Sequence, residues 1–158
     1  MKRNFILLFI SLWQLIAFAN NDCSNAIALT PGTSCNSTTG TFSGATLTGA
    51  TPACATESLQ DVWYKFIATD VTNGIYLNSV QGLNHGLEIR QGGCNGTVIG
   101  CKNDTFAGSA ENYFSNNFIV GQEYFIRVFN ATAQLTTASF TICASYGRGN
   151  LYKYYRNF

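Results

Sequence analysis

The sequence has few of the residues that catalytic and metal sites use. His85 is the only histidine among the 158 residues, so a Ser-His-Asp triad or a zinc site would depend on this one side chain. It lies in a glycine-rich stretch typical of a turn, where we expect a solvated histidine. No C-x-x-C, G-x-S-x-G, H-E-x-x-H or phosphate-loop motif occurs. We therefore predict a protein that is not an enzyme.

Charged residues are also scarce, at 11% of the chain. Without Lys2 and Arg3 the chain has seven basic and eight acidic residues, a balance that does not favour binding to nucleic acid. Three of the seven basic residues lie near the carboxyl terminus, at Arg148, Lys153 and Arg156. The rest of the chain is mildly acidic, and we predict no nucleic-acid partner.

Only one long apolar run occurs, at the amino terminus. Lys2 and Arg3 precede the apolar residues 5–18, and Ala17-Phe18-Ala19 has the small-x-small pattern of a cleavage site. The run is shorter than the roughly 20 apolar residues of a transmembrane helix. We predict a signal peptide over residues 1–19, a mature chain that starts at Asn20, and no integral membrane segment after cleavage.

Six cysteines lie in the mature chain, an even number that predicts three disulfides in an exported protein. The sequence does not decide the pairing. Cys94 and Cys101 are close enough in sequence to close a turn, which favours their pairing. For the other four we expect Cys35 to pair with Cys54, and Cys23 with Cys143.

Proline occurs only twice, and no segment sustains a helical period. Several segments alternate with period two instead, as in residues 122–130, where Tyr124, Ile126 and Val128 share one face. Segments 74–80, 86–92, 97–101 and 137–145 also read as strands, with turns over 81–86 and 92–96. Residues 40–55 read as an edge strand and loop. The pattern predicts an all-β sandwich or barrel.

The stretch DVWYKFIAT, residues 61–69, has two largely apolar faces. This favours a core strand in a two-layer sandwich whose outer side is partly covered. The alternative is a ligand-binding strip, in which Trp63, with Phe125 and Phe129, forms an exposed aromatic platform for a sugar ring or a partner. Both interpretations stay open from the residues alone.

The segment CKNDT, residues 101–105, contains the one candidate metal site. Asp104 and Asn103, with backbone carbonyls, could supply oxygen ligands for Ca²⁺. A single acid in a loop is more often a turn former that caps its own backbone. We predict no cofactor, with Ca²⁺ as the open alternative.

Six motifs occur in an order that resembles a repeat domain of secreted and cell-surface proteins of Bacteroidota. They are NDCSNAIAL, CNSTTGTFSGATLT, DVWYKFIAT, LEIRQGGCNGTVIGC, YFIRVF and FTIC. That family is similar to bacterial pre-peptidase C-terminal domains, which are jelly-roll-like β-sandwiches. The resemblance spans residues 20–145, and it implies a jelly-roll-like antiparallel β-sandwich, stapled by disulfides.

The resemblance also implies a non-catalytic binding or adhesion module that is secreted or held at the cell surface, with a glycan or a surface protein as partner. For a glycan we expect exposed aromatics and neighbouring amides at loop ends. The alternative is a spacer or accessory domain of a secreted hydrolase. Gly147 and Gly149 interrupt the last strand pattern, so we expect residues 146–158 to be a flexible basic and aromatic tail. Because no sorting domain follows Cys143, a truncated gene product is a further alternative.

Overall fold

The computed structural model of the protein describes residues 20–79, 82–104 and 106–147. A single 3-10 turn over Cys23–Asn25 precedes the first strand. The described residues form nine strands. They are β1 (Ile27–Ala28), β2 (Thr38–Thr41), β3 (Asp61–Ile67), β4 (Asn73–Ser79), β5 (His85–Gln91), β6 (Thr97–Lys102), β7 (Glu111–Ser115), β8 (Glu123–Asn130) and β9 (Ser139–Tyr146).

The strands form two sheets packed face to face. The five-stranded sheet has the order β1-β3-β8-β5-β6, and the four-stranded sheet the order β2-β9-β4-β7. All neighbouring strands run antiparallel except β1 and β3, which pair in parallel. Apart from the short β1, this order is that of a jelly roll built from two Greek keys. The prediction of a disulfide-stapled jelly-roll-like β-sandwich is confirmed.

The core lies between the sheets, and the period-two pattern of the strands fills it. Tyr124, Ile126 and Val128 of β8 are buried there, as the alternation predicts. Phe66 of β3 has its ring centre 5.5 Å from that of Phe118 and 5.6 Å from that of Tyr124. Such aromatic contacts add to the burial of apolar area that stabilises the sandwich.

Six predicted strands are confirmed, as β3, β4, β5, β6, β8 and β9, whereas β1 and β7 were not predicted and β2 overlaps the predicted edge strand only at residues 40–41. β5 and β6 form the predicted hairpin around the turn at residues 92–96. β4 pairs with β7 and β9 whereas β5 pairs with β6 and β8, so the chain between β4 and β5 passes from one sheet to the other. β9 extends to Tyr146, one residue past the predicted domain end, and the Tyr146 N–H donates to the Gly32 carbonyl.

All six cysteines form disulfides, but the expected pairing is wrong. The bridges are Cys23–Cys94, Cys35–Cys143 and Cys54–Cys101. The first and third bridges join loops to the five-stranded sheet and its hairpin turn, and the second joins the segment before β2 to β9. Each bridge therefore ties together segments that are distant in sequence, with separations of 71, 108 and 47 residues.

The geometry of the β5–β6 hairpin explains why Cys94 and Cys101 do not pair. Thr97 lies opposite Gln91 at the turn, and Cys101 lies opposite Glu88. Cys101 lies four residue steps along the strand from Thr97, about 13 Å at the usual rise per residue. A disulfide requires Cα atoms within about 7 Å, so Cys94 in the turn is too far from Cys101.

The predicted signal peptide, residues 1–19, lies outside the described residues, as does all of the predicted tail beyond Gly147. Within the part of the chain that the structure describes, no helix is long and apolar enough to cross a membrane.

Candidate binding clefts

Trp63 lies on the outer face of the five-stranded sheet, yet it is buried. Its strand places it beside Arg127 of β8, and the long connection between β2 and β3 covers it. The indole Nε1 donates a hydrogen bond to Oγ1 of Thr48 in that connection, at 2.9 Å. Only 3% of Trp63 is exposed. The prediction of a core strand with a covered outer side describes this position, and Trp63 does not form an exposed platform.

The other two residues of the expected platform share this outer face. Phe129 is fully buried, and its ring packs over Gly86 of β5, where an added Cβ would lie 2.3 Å from the ring. Phe125 is half-buried, with the Lys65 ammonium 5.9 Å from its ring centre. The structure therefore brings the three residues to one face but exposes only part of Phe125, so they do not form the exposed platform of the alternative interpretation.

A buried ion pair holds the covering connection in place. The Arg127 Nε donates to Oδ2 of Asp61 at 2.5 Å, and its two terminal nitrogens donate to the carbonyls of Ala50 and Thr48 at 2.8 and 2.7 Å. Thr48 in turn donates from its Oγ1 to Asp61 Oδ1 at 2.8 Å. Burial raises the pKa of Asp61, and the positive charge of Arg127 and the bonds from Thr48 oppose that rise. Both charges are thereby satisfied within the protein.

A second ion pair lies beside the first. Arg90 Nε donates to Oε1 of Glu88, and Arg90 Nη1 donates to the Cys94 carbonyl, each at 2.7 Å. The guanidinium carbons of Arg90 and Arg127 lie 5.4 and 5.5 Å from the centre of the Trp63 ring. These groups line an open cleft of about 370 Å³, which we call the Arg90 cleft. The other residues that line it are Cys23, Thr48, Gly49, Ala50, Cys94 and Asn95.

The two residues of the calcium hypothesis make contacts within the protein. Lys102 Nζ donates to Oδ2 of the exposed Asp104 at 2.6 Å, and Asn103 Nδ2 donates to the Cys54 carbonyl at 3.2 Å. Within the described ranges, no group of three or more histidine, cysteine, aspartate or glutamate residues could hold a metal ion. Calcium binding at this loop stays an untested prediction.

His85 is buried, which contradicts the expectation of a solvated turn residue. It begins β5 opposite Asn130 of β8, and its ring meets Phe140 of β9 edge to face, with centres 6.5 Å apart. Its Nε2 is buried with no hydrogen-bond partner. Burial lowers the pKa of His85, against the opposing effects of backbone hydrogen bonds and the Glu111 carboxylate.

Two adjoining clefts lie at the end of the sandwich where β3 begins and β8 ends. Their volumes are about 490 and 280 Å³, and both are lined by Leu135 and Thr136. We call them together the end cleft. Its remaining lining residues are Gly44, Ala45, Gln60, Gly82, Leu83, Asn84, Ala107, Asn130, Thr132, Gln134, Thr137 and Ala138. None of these side chains is charged.

Among the described residues, one aromatic side chain is almost fully exposed, in the turn next to the end cleft. Phe106 is 90% exposed and directly precedes Ala107 of the cleft wall. The Ser109 N–H donates to the Phe106 carbonyl, and the Gly108 N–H to the Leu83 carbonyl, which ties this turn to the wall. Sequence reasoning missed Phe106. Its position outside any alternating segment, between polar and small residues, could have indicated an exposed aromatic side chain in a loop.

The comparison with protein families identifies the domain. A family model described as galactose binding domain-like, of a family associated with the type IX secretion system, matches residues 19–142. The chain belongs to this family. The resemblance drawn from the six motifs is thereby confirmed, and the matched range covers all nine strands except the end of β9.

Solved structures are similar to this galactose-binding-like domain in fold. The pre-peptidase C-terminal domain of a collagenase from Bacillus anthracis superposes with a TM-score of 0.50 at 7% identity, over 75% of this chain and 93% of that one. PliG, a periplasmic inhibitor of g-type lysozyme from Aeromonas hydrophila, has a TM-score of 0.47 at 13% identity, over 76% of this chain and 97% of its own. No curated protein matches the chain.

Proposed function

We propose that this galactose-binding-like domain is a non-catalytic module, exported to the cell exterior, that binds neutral glycans at the end cleft. The observation that carries the proposal is an uncharged cleft with an exposed aromatic residue, Phe106, in the turn beside its wall. The three disulfides support export, because such bonds persist in oxidising compartments. The family's association with type IX secretion supports the same location.

The chemistry of the cleft wall suits sugar hydroxyls. Neutral sugars offer hydroxyl groups that both donate and accept, and amide side chains match them because they carry a donor and an acceptor together. The Gln134 side chain is exposed in the wall. Asn84 supplies a second amide side chain to the same wall. Leu135, which is 64% exposed, supplies apolar surface between these polar groups.

Phe106 provides the apolar face that a pyranose ring requires. Sugar rings present aliphatic C–H groups on one side, and an exposed aromatic ring is the usual surface for them. Phe106 loses little area to the rest of the protein, so a ligand would bury most of the ring. A glycan site is expected to combine exposed aromatics with amides at loop ends, and the end cleft has Gln134 and Asn84 in its wall and Phe106 in the adjoining turn.

The loop that carries Gln134 and Leu135 is held in place by the buried Gln60. The Gln60 Nε2 donates to the carbonyls of Phe42 and Thr136, both at 2.9 Å, and its Oε1 accepts from the Thr136 N–H at 2.8 Å. A loop ordered before binding loses less entropy on binding. This arrangement supports the end cleft as a preformed site.

The test is binding of the mature chain to an array of neutral and acidic glycans, followed by titration of the neutral glycans that bind. We expect Phe106→Ala to weaken binding about tenfold, since loss of one aromatic contact is worth on the order of 1 kcal/mol. Ile119→Ala is the matched control. Ile119 is 57% exposed and lies in the β7–β8 connection, which hydrogen-bonds to residues 68 and 71 beyond the end of β3, at the opposite end of the sandwich.

Equal loss in the two variants would show that general surface hydrophobicity, and not the end cleft, is responsible. Binding of neutral glycans that survives Phe106→Ala would move the site elsewhere. The absence of any neutral glycan ligand would overturn the proposal.

A further inference from the structure

We propose that the Arg90 cleft is a second binding site, which takes the carboxylate of an acidic sugar, a uronic acid. It lies on the outer face of the five-stranded sheet, apart from the end cleft. The inference extends the proposed glycan-binding function by adding a ligand class, but its residues and its readout are independent of Phe106.

Most hydrogen-bond acceptors of the Arg90 cleft already accept hydrogen bonds from within the protein. The carbonyls of Thr48 and Ala50 accept from Arg127, and the carbonyl of Cys94 accepts from Arg90. The Thr48 hydroxyl both donates to Asp61 and accepts from Trp63. The acceptors on this wall are therefore largely occupied from within the protein.

The polar groups of the Arg90 cleft that remain available for a ligand are mainly hydrogen-bond donors. A guanidinium has five N–H groups, and Arg90 directs one to Glu88 and one to Cys94. Its Nη2 has no hydrogen-bond partner among the described residues. The neighbouring Asn95 amide is exposed in the same cleft. A site with spare donors and occupied acceptors selects a ligand group that only accepts, and a carboxylate is such a group.

A ligand in the cleft can contact only those charged side chains that are exposed to solvent. The Glu88, Asp61 and Arg127 side chains are at most 2% exposed, whereas the Arg90 side chain is 19% exposed. The two carboxylates are thus covered by the residues that bind them, and Arg90 is the charged group of the lining that solvent reaches. A carboxylate oxygen can accept a charge-assisted hydrogen bond from the Nη2 of Arg90.

The dimensions and rigidity of the cleft fit a single sugar residue. Its volume of about 370 Å³ is at the small end of ligand pockets. The Cys23–Cys94 disulfide forms part of its wall, and the Arg90 guanidinium is fixed by two hydrogen bonds and by the Trp63 ring. The donors are therefore held in position before a ligand arrives.

Trp63 makes a direct test available. It is the only tryptophan after residue 19, and it contacts Arg90, so its fluorescence reports on this cleft and not on the end cleft. The experiment titrates the mature chain with galacturonate and glucuronate oligosaccharides, with the matched neutral galactose and glucose oligomers as controls. We expect a saturable change in Trp63 emission with the uronates alone, weakened by salt.

Variants assign the effect to the guanidinium. We expect Arg90→Gln to weaken uronate binding about tenfold or more, because it removes a charge-assisted hydrogen bond. Arg90→Lys keeps the positive charge but not the planar guanidinium, so it should bind uronates with intermediate affinity. It also serves as the test variant if Arg90→Gln leaves Glu88 unpaired and does not fold. Lys102→Gln, which removes an exposed ion pair on β6, should bind as the wild type.

Each outcome has a separate meaning. A Trp63 response to uronates that Arg90→Gln removes supports the second site, whether or not Phe106→Ala affects neutral glycans. Neutral glycan binding without any uronate response overturns this inference and leaves the end cleft intact. An equal response to acetate or to peptides with a free carboxyl terminus would show that the cleft binds any carboxylate and does not recognise the sugar ring. This outcome would contradict the assignment to uronates.

Discussion

At the scale of single residues, a buried ion pair stabilises the contact between the outer face of the five-stranded sheet and the β2–β3 connection. Asp61, Arg127 and Thr48 satisfy one another, and Trp63 packs on the arginine. The sequence shows an alternation of apolar and charged residues here, which is normally typical of a solvent-facing side. The part of this side around Trp63 and Arg127 is buried because the β2–β3 connection crosses it, and that contact is set by tertiary structure.

Replacement of Arg127 by methionine should destabilise the protein by about 3–5 kcal/mol, because Asp61 would keep a buried charge without its partner. The measurement is urea unfolding followed by Trp63 fluorescence. Lys65→Met is the matched control, since it breaks a pair with Glu123 in which both side chains are more than a third exposed. Exposed pairs of this kind contribute about 1 kcal/mol or less. Similar losses for the two variants would contradict the structural role given to Arg127.

At the scale of the elements, strand alternation places His85 inside the sandwich. In β5 the side chains of His85, Leu87 and Ile89 share the inner face, and all three are buried. The glycines around His85 suggested a turn, but the strand begins at His85 itself. Burial beside Phe140 therefore leaves the Nε2 of the imidazole without a hydrogen-bond partner.

The buried imidazole predicts a loss of stability in mild acid. The folded pKa of His85 lies below the unfolded value of about 6.5, so the unfolded chain binds a proton that the folded chain does not. Stability should be complete above pH 7 and should fall as pH drops through 6.5 toward the folded pKa, by at most about 1.4 kcal/mol per pH unit.

His85→Phe is the comparison variant, because it keeps an aromatic ring against Phe140 without a titrating group. Urea midpoints of the wild type and the variant should diverge between pH 7 and pH 5. His85 is the only histidine in the chain, so the divergence measures this group alone. Parallel curves over that range would show that His85 keeps an unshifted pKa.

At the scale of the whole molecule, three disulfides close loops across the jelly roll. Two lie at the five-stranded sheet and one at the four-stranded sheet, so each sheet is tied to the loops that cover it. Closure of loops this long restricts the unfolded chain and contributes about 2–5 kcal/mol for each bridge. The bridges therefore fix the covering connections that form the Arg90 cleft.

Trypsin digestion without reduction should distinguish the observed pairing from the one expected from sequence. Cleavage after Lys65, Arg90, Lys102 and Arg127 leaves Cys23, Cys35 and Cys54 in one peptide, and Cys94 and Cys101 in another. The observed bridges join these two peptides to each other and to the peptide with Cys143. A peptide over residues 91–102 that is released with an internal bridge would contradict the structure.

The residues alone were sufficient to predict the all-β class, six of the nine described strands (β3, β4, β5, β6, β8 and β9) and the number of disulfides, because strand period and cysteine count are local properties of the chain. The order of the six motifs was sufficient for the family. The strand period also placed Tyr124, Ile126 and Val128 in the core correctly. The disulfide partners, the burial of Trp63, Phe129 and His85, and the exposure of Phe106 depend on which loop covers which face. Only the packing of the two sheets and their connections decided these, since contacts between distant segments leave no periodic signal in the sequence.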